Sequence, residues 1–361
     1  MRNGVTCQVA WVLCLPLLLV GSVQGQTPED ETVNTIRQLS QIGAADQRRI
    51  ADWVQVQVEK LAATPGEERQ KAAVAFRKTF KTQYENPANS PPFKAQLAAQ
   101  TATIAAAQFG NANLDQWTAW ALARVLVDMG GIEASPGLFA GLKSKHEPAR
   151  FLCADGLSSL KTAIAADKAK LDEAVGALKA AALTESSPIV LGRIYQALAV
   201  SSQVPTVFDT YIAIFEKRLK DRRAGAVTAD GAEVEAFEFF RTSGILAALN
   251  QNQKEQLARP LAVFLRTNAE RYNTPALGGE GTGLDFYEVD RLERSMDSVE
   301  AILTELVGSG KGGKVRDEIA AGGQDRQAAV LAEAYKWVGD PQSKQPGTLN
   351  EAPWNVALGA P

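Results

Sequence analysis

Histidine, cysteine and methionine are nearly absent from this sequence: one His, three Cys and three Met in 361 residues. A lone histidine, His146, excludes a His-rich metal site and leaves a Ser/His/Asp or Cys/His centre only that one residue to use. Cys7 and Cys14 lie in the apolar N-terminal segment, so a chain that loses that segment keeps only Cys153 and cannot form an intrachain disulfide. There is no basic excess either. With 38 Lys and Arg against 41 Asp and Glu, net charge −3, nothing offers the phosphate-neutralising patch that nucleic acid requires. Beyond the N-terminus no run approaches the roughly 18 apolar residues of a membrane helix, so a soluble mature chain without stable membrane insertion is expected.

What is present begins with a targeting pattern. Arg2 precedes the uncharged run Val9–Val20, which is too short to span a bilayer, and Val23-Gln24-Gly25 offers small residues where a signal peptidase cuts. Residues 1–25 are therefore predicted to be a signal peptide cleaved after Gly25, giving an exported protein, periplasmic or extracellular.

The remaining chain carries helical periodicity. Leu171, Ala174, Val175 and Leu178 fall at i, i+3, i+4, i+7, and Phe208, Tyr211, Ile212, Phe215 and Leu219 repeat the stripe. Leu292, Met296, Val299, Ile302 and Leu303 do so again, as do Val330, Ala334 and Val338. Val54-Gln55-Val56-Gln57-Val58 alternates like a strand, but Ile50, Val54, Val58 and Leu61 make a helical stripe within a charged segment, which predicts helix. One long helix is expected over 31–62 and a second over 67–84. Pro87, Pro91 and Pro92 then mark a rigid turn or linker. The expected organisation is an N-terminal helical segment with its Pro-rich linker over 26–92, a repeat region over 93–274, a Gly-rich loop over 275–283, C-terminal helices over 284–340 and an irregular tail over 341–361, pinned by Trp354.

Between those breaks, Glu147-Pro148-Ala149-Arg150-Phe151-Leu152-Cys153-Ala154-Asp155-Gly156-Leu157 resembles the first helix of a HEAT repeat. In that family a proline opens the helix, an arginine follows, and small residues precede a Gly-Leu or Ala-Leu. Ser187-Pro188 through Ala197-Leu198 is similar, with weaker echoes at Ala121-Leu122 and Ala248-Leu249. The resemblance covers 93–270 and implies an all-α, HEAT-like α-solenoid, a right-handed superhelix of helical hairpins.

Three stretches invite a chemical reading. Leu306–Val315 contains Gly308, Gly313 and Lys314 at P-loop spacing, but Val315 stands where Ser or Thr would hold Mg²⁺, and the stretch follows a helix rather than a strand. It reads instead as a glycine C-cap and flexible connector, and no nucleotide is expected. Glu185-Ser186 resembles the Glu-Ser of lytic transglycosylases, yet the Gly-Leu-Met-Gln stretch of that family is missing; a turn with Ser187 as helix cap fits better. The third stretch joins Glu280, Asp285, Glu288 and Asp290 to Phe286 and Tyr287. Four acids and two aromatics beside glycines define the candidate loop for a hard cation or a carboxylate pair, although the D-x-D-x-D-G spacing of a Ca²⁺ loop is absent.

No residue set demands catalysis, and no cofactor or metal is expected. The function expected is non-catalytic binding or scaffolding of a protein or other envelope or extracellular component. The alternatives are a carboxylate-based glycan hydrolase with its site near 280–290 and a structural envelope component.

Overall fold

A computed structural model describes residues 28–224, 232–274, 284, 286–323 and 325–357. Among the described residues the protein is all-α, with fifteen α-helices and no strand. The helices are α1 (Pro28–Ile36), α2 (Ala44–Ala63), α3 (Arg69–Tyr84), α4 (Pro91–Phe109), α5 (Gln116–Met129), α6 (Ser135–Gly141), α7 (Glu147–Ala165), α8 (Lys168–Ala182) and α9 (Pro188–Leu198). They continue as α10 (Val204–Arg223), α11 (Val234–Arg241), α12 (Gln251–Tyr272), α13 (Phe286–Val307), α14 (Val315–Ala321) and α15 (Arg326–Val338).

Local chemistry sets many of the starts. Ser90 and Ser187 each accept a hydrogen bond from a backbone N–H in the first turn, with Pro91 and Pro188 at the first helical position, where a missing N–H costs nothing. Asp115 and Asp167 cap α5 and α8 in the same way. Asn250 and Gln253 form a reciprocal capping box on α12.

The predicted helix over 31–62 is in fact two. α1 stops at Ile36 and α2 starts at Ala44, with Gly43 in extended backbone at its N-cap. The break is held from far along the chain: Ser90 donates from its backbone N–H to the Arg37 carbonyl at 2.8 Å and from its hydroxyl to the Leu39 carbonyl at 2.6 Å. The alternating Val54–Val58 segment lies inside α2, as its stripe predicts, with Ile50, Val54, Val58 and Leu61 buried.

From α2 to α13 packing follows a simple rule: each helix lies against the one two places along, and α12 and α13 join the two rows. One row runs α3, α5, α7, α9, α11, α13, and the other α2, α4, α6, α8, α10, α12, with α15 against α12. Small residues permit the closest approaches. A Cβ on Gly137 of α6 would lie 2.9 Å from Ala102 Cα of α4, and one on Gly141 would lie 2.2 Å from Cys153 Sγ of α7. One continuous apolar core connects the rows, from Val33 to Val356. Its centre is aromatic: Tyr211 stacks on Tyr195 and Phe239 at centroid separations of 5.9 and 5.1 Å, and Phe215 meets Phe237 and Phe264.

Two clusters of buried polar groups are hydrogen-bonded across helices. Glu233, fully buried, accepts from Arg218 Nε at 2.8 Å and from Arg222 at 3.1 Å; Arg222 also donates to Asn268, which donates to Ser295 Oγ. This chain of contacts staples α10, α12 and α13 beneath the start of α11. Burial acts to lower the Arg218 pKa, but the Glu233 carboxylate outweighs it and holds the pKa above the ordinary arginine value. Glu300 accepts the backbone N–H groups of Val315 and Arg316, both at 2.7 Å, and the Trp337 indole N–H at 3.0 Å. It thereby joins α13, α14 and α15.

The stretch after α13 is only partly the flexible connector its glycines suggest. Gly308 to Lys311 are exposed, but a Cβ on Gly312 would strike the Trp337 ring at 2.4 Å and one on Gly313 the Glu333 carbonyl at 1.9 Å. The glycines serve close packing on α15, and Gly312 also adopts φ +81°. The tail after α15 is irregular, with Trp354 buried as expected. Among the described residues no single helix is long and apolar enough to cross a membrane.

A candidate binding groove across the odd-numbered row

The acids chosen from sequence do not come together where they can be described. Glu280 and Asp285 lie outside the described residues. Glu288 and Asp290 are two positions apart on α13, about 200° around the helix, so they cannot face each other across a cleft. Glu288 sits 3.9 Å from Arg271, and Asp290 is exposed. Phe286 and Tyr287 are 79% and 74% exposed, with ring centroids 5.8 Å apart in an edge-on pair. Among the described residues no three His, Cys, Asp or Glu side chains gather closely enough to hold a metal ion.

The remaining reactive groups are accounted for by structure. Cys153 is buried, and desolvation pushes its thiol well above the ordinary value, away from the reactive thiolate. His146 stands at the N-cap of α7 with Nε2 2.7 Å from the Leu114 carbonyl oxygen. Glu185 receives a two-point contact from Arg150 at 2.7 and 2.9 Å and also accepts the backbone N–H groups of Ser186 and Ser187. It is an anchor between α7 and α9 and not a free acid. Trp117 and Trp120 are half-buried and meet edge-on, their centroids 6.3 Å apart.

A different set of side chains forms a groove of about 360 Å³ across α7, α9, α11 and α13. α9 supplies Ile189, Gly192, Arg193 and Gln196, spaced by three and four so that they share a face. Gly192 keeps the floor low, because a Cβ there would already touch the Glu235 side chain at 3.5 Å. Phe151 of α7 lies under the Arg193 guanidinium at 5.2 Å. Arg193 is fixed further by Gln196 at 2.5 Å and Asp155 at 3.6 Å, and Gln196 donates to Glu235 at 2.8 Å.

The opposite wall is α13, which contributes Arg291 and Arg294. Neither has an ion pair among the described residues, and the Arg291 Nε is buried without a hydrogen-bond partner there. Tyr287, Arg291 and Arg294 fall at i, i+4, i+7, so the exposed tyrosine extends the arginine stripe towards the helix N-terminus. Ile189 on the facing wall is 62% exposed. The groove therefore presents guanidinium donors that hold no partner among the described residues, beside apolar surface.

Sequence reasoning reached α13 and its aromatics but missed Arg193, Arg291 and Arg294. Surface arginines on a helix carry no spacing that separates a groove from a solvated face; only the meeting of four helices does. A second, larger depression of about 810 Å³ lies between α10, α12 and the tail. It is lined by Asp209, Glu216, Arg223 and Arg259, with Val263 and Val356. Compared with known proteins, the chain matches no family model, no curated protein and no solved structure.

Proposed function

We propose that this is an exported, non-catalytic helical-repeat protein of the HEAT-like α-solenoid type, which binds or scaffolds an envelope or extracellular partner along the α7–α13 groove. The observation that carries the reading is the groove itself: a row of helices stacked side by side leaves Ile189 and Arg294 exposed and Arg291 half-buried around one cleft. Stacked helix pairs expose such extended faces, and uncovered apolar surface beside unpaired cations is a common feature of partner sites. Export rests on the N-terminal pattern of Arg2, the Val9–Val20 run and Gly25.

The test is recovery of a partner from the envelope or extracellular fraction of the native host by the tagged mature chain. The parent and a Val74→Asp control, placed at an exposed site on α3, are expected to retain the same discrete partner, and Ile189→Asp to lose it. Equal recovery by all three, or recovery of nothing above background, argues against the reading.

A further inference from the structure

Resting on that reading, we propose that the occupant of the groove is an extended acidic segment of a partner protein, its carboxylates paired with Arg291 and Arg294 and an apolar side chain seated between Ile189 and Phe151. The groove is lined by three arginines against one carboxylate, Glu235. Arg193 is already engaged by Gln196 and Asp155, whereas Arg291 and Arg294 hold no anion among the described residues. Planar guanidinium groups favour two-point contact with carboxylates, and unsatisfied donors in a partly desolvated cleft gain most when an anion arrives.

The scale of the site favours a peptide over larger polyanions. The groove's three arginines share a cleft of about 360 Å³, while the whole chain carries net charge −3. A membrane surface or a nucleic-acid duplex would meet that overall negative charge across a wide front. A short segment meets only the arginines and the adjoining apolar wall. The exposed Tyr287, one turn before Arg291 on the same face, extends the contact line and suits a strand-like occupant.

Fluorescence anisotropy on the full mature chain tests this with a short fluorescein-labelled peptide that alternates glutamate and leucine. Its glutamine and lysine counterparts and an anionic phosphatidylglycerol vesicle serve as the other arms. The glutamate peptide is expected to bind, to weaken as salt is raised, and to lose about tenfold or more in affinity with the double variant Arg291→Gln, Arg294→Gln. Substituting Val74→Asp leaves binding unchanged. Equal binding of the glutamine peptide, or arginine-dependent capture by the vesicle instead of the peptide, overturns the proposal. A protein partner that requires Ile189 but contacts the groove through a segment without carboxylates overturns the acidic chemistry and leaves the binding reading standing. Failure of every peptide, together with no Ile189-dependent partner, removes both.

Discussion

At the scale of single residues, the strongest dependence falls on Glu233, because two guanidinium groups rely on one buried carboxylate. Glu233→Ala removes the buried carboxylate that Arg218 and Arg222 share and is expected to lower unfolding free energy by about 3–5 kcal/mol in urea titrations. Breaking the exposed Lys168–Asp172 pair changes nothing measurable. Asp115 gives a pH prediction. Burial acts to raise its pKa, but hydrogen bonds from Thr118 and the Trp117 N–H and the nearby Arg69 outweigh it and hold the carboxyl below its ordinary value. A depressed folded pKa adds stability above the unfolded value, near 3.9, and that stability is lost as pH falls through the folded value. Asp115→Asn keeps the cap but is expected to flatten this acid limb in melts recorded from neutral pH downwards; an unchanged acid limb contradicts the assignment. Sequence alone showed Ser187 as a cap, because cap and helix lie a few positions apart. It could not show Glu233 as a counter-ion to α10, since a glutamate bordering a helix reads as solvated until the fold covers it.

At the scale of elements, the row-on-row packing depends on missing side chains. Gly141→Ala drives a methyl into Cys153 Sγ and is expected to destabilise by about 1–3 kcal/mol, whereas Gly176→Ala, with open space around it, is expected to be neutral or stabilising. The connector after α13 divides sharply. Trypsin is expected to cut after the exposed Lys311 and to spare Lys314, whose N–H is held by Glu333 and whose neighbour Val315 donates to Glu300. Early cleavage after Lys314 in a mass-spectrometric time course would show that the contacts with α15 are not made. Helices α8, α10, α13 and α15 were legible because apolar residues recur along them at helical spacing, and α7 and α9 because Pro148 and the Ser187-Pro188 pair mark their starts. The break between α1 and α2 was not, since it is fixed by Ser90, some fifty positions along the chain.

At the scale of the molecule, the all-α class followed from periodicity alone, because a 3.6-residue stripe recurs through most of the chain. The groove did not follow, since it belongs to no single element: Phe151, Ile189, Glu235 and Arg294 are brought together only when α7, α9, α11 and α13 align. The central claim is that this face, and not the opposite row, meets the partner. Site-specific photo-crosslinking in the native host tests it most directly, with a photoreactive residue at Ile189, at Tyr287, or at Lys168 on the α8 side as control. Adducts of one discrete mass at Ile189 and Tyr287, with none at Lys168, are the predicted result. An equal adduct pattern at all three positions, or adducts at Lys168 alone, would contradict it.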